Sequence, residues 1–151
     1  MIFASNKKAY FEYEVLERFE AGLVLSGPEV KSVRTGGAKL TGGYAAVRGT
    51  TATLINVHIS RYRFSSPKKE YDPTQTRRLL LHEKEMRYLE GKTQEQGLTI
   101  VPLSLYSTDH KIKVELGLVR GKKRFDKRRA TQQRDIDRDT KRTLKHIART
   151  Y

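Results

Sequence analysis

Short runs in which apolar and polar residues alternate one by one constrain this chain more than any other feature. In residues 111–120, Ile112, Val114, Leu116 and Leu118 fall on one face, while Lys111, Lys113 and Glu115 fall on the other. A period of two belongs to a half-buried strand, because successive side chains point to opposite faces of a sheet. Phe11, Tyr13 and Val15 alternate in the same way with Glu12, Glu14 and Leu16, and residues 21–25 form a second apolar run. Residues 44–47 and 53–60 flank Arg48-Gly49-Thr50 and read as a hairpin. Its second strand should turn Ile55, Val57 and Ile59 inward, with Asn56, His58 and Ser60 outward. Residues 78–81 and 98–106 complete the set.

Helical signals interrupt these strands. Ser26-Gly27-Pro28-Glu29 has capping-box spacing, with proline in the first turn where its missing N–H is harmless. That helix should carry Val30 and Val33 on one face and stop at Gly36-Gly37. Residues 82–96 place Met86 and Leu89 three apart, with Gly97 as a stop and Gly91 as an interior weakness. Many short antiparallel strands avoid exposed edges best by closing on themselves. The expected fold is therefore mainly β: a small closed antiparallel OB-like barrel with two or three short helices.

At 151 residues the chain is expected to hold one domain, over residues 1–120, followed by a tail over residues 121–151. Lys and Arg number 31 against 17 acids, a net +14 that calls for a polyanionic partner. The excess is uneven, since residues 120–151 carry thirteen Lys/Arg and four Asp and no proline. Within that tail Ile136, Thr140, Leu144 and Ile147 make a thin stripe at helical spacing. So little apolar area cannot offset backbone ordering of roughly 1–2 kcal/mol per residue, so the tail is expected to be disordered when free and helical only when bound. The absence of cysteine excludes disulfides and thiolate metal sites. No apolar stretch approaches the roughly 20 residues that span a bilayer, and MIFASNKKAY lacks a signal peptide's apolar region. A cytoplasmic monomer with no membrane contact is expected.

An enzyme is not expected either. His58, His82, His110 and His146 lie far apart without metal-ligand spacing, so neither metal nor cofactor is anticipated. The glycines of RTGGAKLTGG lack the GK[ST] ending of a phosphate loop. Lys7-Lys8-Ala9-Tyr10-Phe11 and Arg61-Tyr62-Arg63-Phe64 instead mix cations with aromatics, a combination suited to stacking bases while neutralising phosphates. One ring of each pair, Phe11 and Phe64, is the natural candidate for core packing. Phe125, between Arg124 and Asp126, is a further stacking candidate. No helix-turn-helix pattern or basic zipper favours DNA.

The segments NKKAYFEY, FEAGLVLSGPEVKSVRTG, NVHISRY, YDPTQTRRLLLHEKEM, GLTIVPLSLY, KVELGLVRGKK and DKR follow in an order and spacing that resemble the SmpB family, the SsrA-binding proteins. That resemblance implies a translation-rescue factor with an OB-like barrel, which binds the tRNA-like domain of transfer-messenger RNA and brings it to stalled ribosomes. Elongation factor Tu with GTP would accompany delivery through the RNA. The tail would enter the empty message channel near the decoding centre, against small-subunit ribosomal RNA. Carried over by position, Asn6, Glu20, Leu80 and Lys113 match the family's RNA-binding surface, and Lys7 and Tyr10 extend it. Glu20 has an alternative role, a salt bridge orienting basic neighbours, while Glu29, Lys31 and Arg34 read as structural.

Gly121, Lys122, Lys123, Asp126, Lys127 and Arg128 match the motif associated with ribosomal accommodation, and Phe125 lies within it. Two positions depart from the family pattern. Histidine or tyrosine is common at Phe125, so only stacking remains there, and histidine is common at Tyr10. A ribosomal or assembly protein and a small RNA-processing enzyme are the competing readings. The first would bind ribosomal subunits without transfer-messenger RNA, and the second would show turnover.

Overall fold

The computed structural model describes residues 1–65, 70–95 and 97–122. Residues Met1–Gly121 form one compact unit; of the second, Lys122–Tyr151, only Lys122 is described. The first unit opens with β1 (Ile2–Ser5), α1 (Lys7–Glu12), β2 (Tyr13–Leu23) and α2 (Gly27–Arg34). There follow β3 (Ala38–Lys39), β4 (Tyr44–Arg48), β5 (Thr51–Ile55), β6 (His58–Ile59) and β7 (Arg77–Leu80). Helix α3 (Glu83–Thr93) then leads to the two long strands β8 (Leu98–Thr108) and β9 (Lys111–Gly121).

All pairings are antiparallel, and they close: β8 joins β4, β5, β7, β2 and β9 in turn, and β9 returns to β8. Strand β1 adds to the far half of β8, and β3 with β6 forms a separate ribbon. The mainly β, OB-like reading therefore holds. Inside the ring lie Leu54, Ile59, Ile100, Leu105, Val114, Leu116 and Leu118, all at most 1% exposed. Each such side chain contributes roughly 1.5–3 kcal/mol through removal from water.

The alternation expected for β9 is met from Lys111 to Leu116, and Ile112, Val114, Leu116 and Leu118 are buried as expected, but Gly117 and Val119 on the other face are buried as well. The capping box of α2 is also present: Glu29 N–H donates to Ser26 Oγ at 3.3 Å, and Ser26 N–H to Glu29 Oε1 at 3.1 Å. Other expectations need correction. Phe11 and Glu12 end α1, and β2 starts at Tyr13, because Asn6 supplies a helix cap that outweighs the period-two pattern. The strand expected over residues 53–60 breaks at Asn56, whose φ is +59°, a left-handed conformation that ends the ladder. Consequently Ala52 and Leu54 are the buried residues of β5 and Ile55 is only half-buried, while Val57 and Ile59 are buried as expected, Ile59 within the separate pairing of β6 with β3. Strand β7 begins one residue earlier than expected, at Arg77.

That residue belongs to the main buried polar network. Arg77 Nε donates to Glu29 Oε2 at 2.6 Å, with both side chains at most 4% exposed. The rest of the guanidinium donates to the carbonyls of Val57 and Pro73 and to the Tyr71 hydroxyl. Tyr71 Oη and Gln75 Nε2 also donate to Glu29 Oε2. Burial acts to raise the Glu29 pKa, but the Ser26 amide, Arg77 and Gln75 outweigh it and hold the carboxyl below its ordinary range. The network fastens α2 to the segment between β6 and β7. Glu29 is thus structural, as expected.

Candidate nucleic-acid interface

Residues directly opposite in antiparallel strands share a face. Across β2 and β9, Glu20 stands opposite Glu115, Gly22 opposite Lys113, and Arg18 opposite Gly117. Across β8 and β9, Ser104 faces Glu115 and Tyr106 faces Lys113. Gly22 also pairs with Leu80 on β7, where a Cβ on the glycine would lie 3.3 Å from Leu80 Cβ. The intervening residues Ala21, Leu79, Leu105, Val114 and Leu116 are buried, so this strip is the outer surface of the ring.

Helix α1 covers one end of that surface. Its Ala9 packs with Val101, Leu103 and Val119 into a second small core, flanked by Tyr13 and Val15. Gly117 makes room beneath it, since a Cβ there would meet Leu103 Cδ1 at 2.9 Å. Asn6 sets the helix in place. Its Oδ1 accepts the Ala9 N–H at 3.2 Å, its Nδ2 donates to the Pro102 carbonyl at 2.9 Å, and the residue is 4% exposed. Lys7, Lys8 and Tyr10 ride on this helix and are exposed. Two lysines at a helix N-terminus oppose the helix dipole; Lys8 has an i,i+4 pair with Glu12 at 3.7 Å in return, whereas no such pair is seen for Lys7 among the described residues.

Fixed polar contacts order the strip. Glu20 accepts from Lys113 Nζ at 2.7 Å on one oxygen and from the Tyr106 hydroxyl at 2.5 Å on the other. The Lys113 and Tyr106 hydrogen bonds hold the Glu20 carboxyl below its usual range. Burial, and then the bond to Glu20, push the Tyr106 phenol up, so it remains a donor. Beside this triad, Arg18 donates to Glu115 at 2.8 Å and to the Tyr10 hydroxyl at 3.1 Å, with its guanidinium 5.5 Å from the Tyr10 ring centre. Ser104 Oγ donates to the other Glu115 oxygen at 3.3 Å. The strip's two cations and two carboxylates cancel. It therefore offers oriented donors and acceptors, bordered by Tyr10 and by Leu80, which is 54% exposed, while α1 adds positive charge.

Glu20, Leu80, Lys113 and Tyr10 thus come together on one surface, with Lys7 on the helix that caps it. Asn6 lies below. Sequence reasoning missed Arg18, Ser104, Tyr106 and Glu115; their alternation was readable, but their cross-strand register was not. Gly121 ends β9 opposite Tyr13, and Lys122 follows it. Lys123, Phe125, Asp126, Lys127 and Arg128, with the helical stripe of the tail, lie outside the described residues. Phe11 is half-buried, but Phe64 is 74% exposed and not part of the core, because it sits in a surface turn after β6.

The family model described as SmpB protein matches residues 3–146. The SsrA-binding protein of Thermosynechococcus vestitus is 47% identical over 144 residues, covering 95% of both chains. That of Cupriavidus taiwanensis is 46% identical, covering 96% of this chain and 97% of its own. A solved chain described with tmRNA–SmpB and the bacterial ribosome superposes with a TM-score of 0.68 at 42% identity, covering 85% of this chain and 93% of its own.

Proposed function

The chain belongs to the SmpB family, and from that premise we propose that it binds the tRNA-like domain of transfer-messenger RNA and delivers it to stalled ribosomes for trans-translation. The observation that carries the reading is the strip on β2, β7, β8 and β9, where the Glu20–Lys113–Tyr106 triad holds polar groups in fixed positions beside two apolar platforms. Structured RNA is recognised through shape, 2′-hydroxyls and unpaired bases. A carboxylate can accept from a base amine or 2′-hydroxyl, and the lysine can meet a phosphate. Asn6 acts by holding α1, so that Lys7 and Tyr10 reach the same RNA.

The protein acts by binding, not catalysis, in the cytoplasm and as a monomer. Its basic tail, from Gly121 onward, enters the vacant message channel and meets small-subunit ribosomal RNA through the motif of Lys122, Lys123, Asp126, Lys127 and Arg128, with Phe125 stacking. The tail acquires helical order there, and elongation factor Tu with GTP is brought by the RNA. No helix among the described residues is long and apolar enough to cross a membrane.

The test is competition binding. The tRNA-like domain should displace a labelled copy of itself at far lower concentration than an unrelated folded RNA of equal length does. Equal displacement by both RNAs would reduce the protein to a general polyanion binder.

A further inference from the structure

A turn between β6 and the Glu29–Arg77 network displays two cations and two aromatics that the strip does not use. Ser65 N–H donates to the Tyr62 carbonyl at 3.0 Å, closing a four-residue turn with Arg63 and Phe64 at its tip. Phe64 is 74% exposed, whereas the second central position of a turn is ordinarily polar or glycine. The rings of Tyr62 and Phe64 meet edge-on, with centres 5.5 Å apart. Lys31 Nζ on α2 stands 5.6 Å from the Tyr62 ring centre, and the Arg63 guanidinium 5.2 Å from that of Phe64.

The turn has a stiff footing. Ser60 N–H donates to the Gly37 carbonyl at 2.8 Å, and Ser32 Oγ donates to the Ser60 carbonyl at 2.6 Å. Gly37 permits this approach, since a Cβ there would lie 2.2 Å from Ser32 Oγ. Beside the turn runs a groove of about 360 Å³, bordered by Thr35, Gly37, Arg61, Tyr62 and Phe64 among others.

We propose that this turn and the end of α2 form a second RNA-binding site, which takes one unpaired nucleotide by stacking its base on Phe64 and setting its phosphate against Arg63 and Lys31. The inference rests on the RNA-binding reading above and shares no residue with the strip. An exposed ring accompanied by cations is what single-stranded nucleic acid requires: a sequence-tolerant platform with charge to track the backbone. The nucleotide comes either from transfer-messenger RNA or from ribosomal RNA, both of which present unpaired bases.

The experiment measures affinity of the full chain and of Phe64→Ala, Phe64→Trp and Arg63→Ala for two probes, the tRNA-like domain and purified small ribosomal subunits. Phe64→Ala should weaken binding to one of them roughly five- to one-hundred-fold, and Phe64→Trp should restore it. Arg63→Ala should lower the salt slope for the same probe by about 0.7 to 1. A loss on the tRNA-like domain assigns the nucleotide to the captured RNA, and a loss on the subunits assigns it to ribosomal RNA. Wild-type affinity of Phe64→Ala for both probes overturns the inference, as does a loss that tryptophan fails to restore or that tracks a lowered melting temperature. Should the unaltered chain itself fail to prefer the tRNA-like domain, the preceding reading falls, and the subunit probe still decides this one.

Discussion

The Asn6 side chain donates to the Pro102 carbonyl and accepts from the Ala9 N–H, so both ends of its amide are engaged inside the fold. Asn6→Ala removes the cap of α1 and strands a buried carbonyl, and should lower stability by roughly 1–2 kcal/mol. It should also weaken RNA binding, because α1 carries Lys7 and Tyr10; urea unfolding beside an RNA titration would measure both. The Arg77–Glu29 pair has higher stakes. Arg77→Ala leaves a buried carboxylate without its cationic partner and should cost roughly 3–5 kcal/mol, seen as a fall in the urea midpoint at unchanged slope. Because the Glu29 pKa lies below its ordinary value of 4.5, the unfolded chain binds the proton first as pH falls. The stability this group contributes is whole above that ordinary value and is lost as pH drops through the lowered native one. Glu29→Gln should therefore be less stable at neutral pH and show a shallower decline in the acid, read from urea midpoints between about pH 6 and about pH 3.

At the scale of elements, what the sequence disclosed depended on how local each cause was. The α2 cap was legible because Ser26 and Glu29 hold each other within one turn. The β9 face was legible because Ile112, Val114 and Leu116 are buried while Lys111, Lys113 and Glu115 between them are not. Helix α1 was not, since its six residues overlap an alternating pattern and its cap depends on Pro102, distant in the chain. Nor was the burial of Gly117 and Val119 on the supposedly outer face of β9, where Ala9 of α1 packs with Val101, Leu103 and Val119. The site shows the same division. Lys113 was readable as outward-facing, but its partners Glu20 and Tyr106 come from two other strands through register alone. Gly117→Ala tests the docking of α1: its Cβ would crowd Leu103, costing about 1–3 kcal/mol by overpacking. Loss of RNA affinity should accompany the change if α1 is displaced.

For the whole molecule, charge and recognition are divided. The strip's two cations and two carboxylates cancel, while the largest share of the net +14 lies beyond residue 119. If the barrel captures RNA and the tail acts later on the ribosome, capture should depend on oriented contacts more than on total charge. The direct test is the affinity for the tRNA-like domain of transfer-messenger RNA across a salt series, comparing the full chain, a truncation after Gly121, and Lys113→Ala. The account predicts that truncation leaves affinity largely intact, while Lys113→Ala weakens it and lowers the salt slope by about one phosphate contact. A truncation that abolishes binding, with Lys113→Ala indistinguishable from the full chain, would make the tail a general RNA-binding arm and contradict the assignment of capture to the barrel.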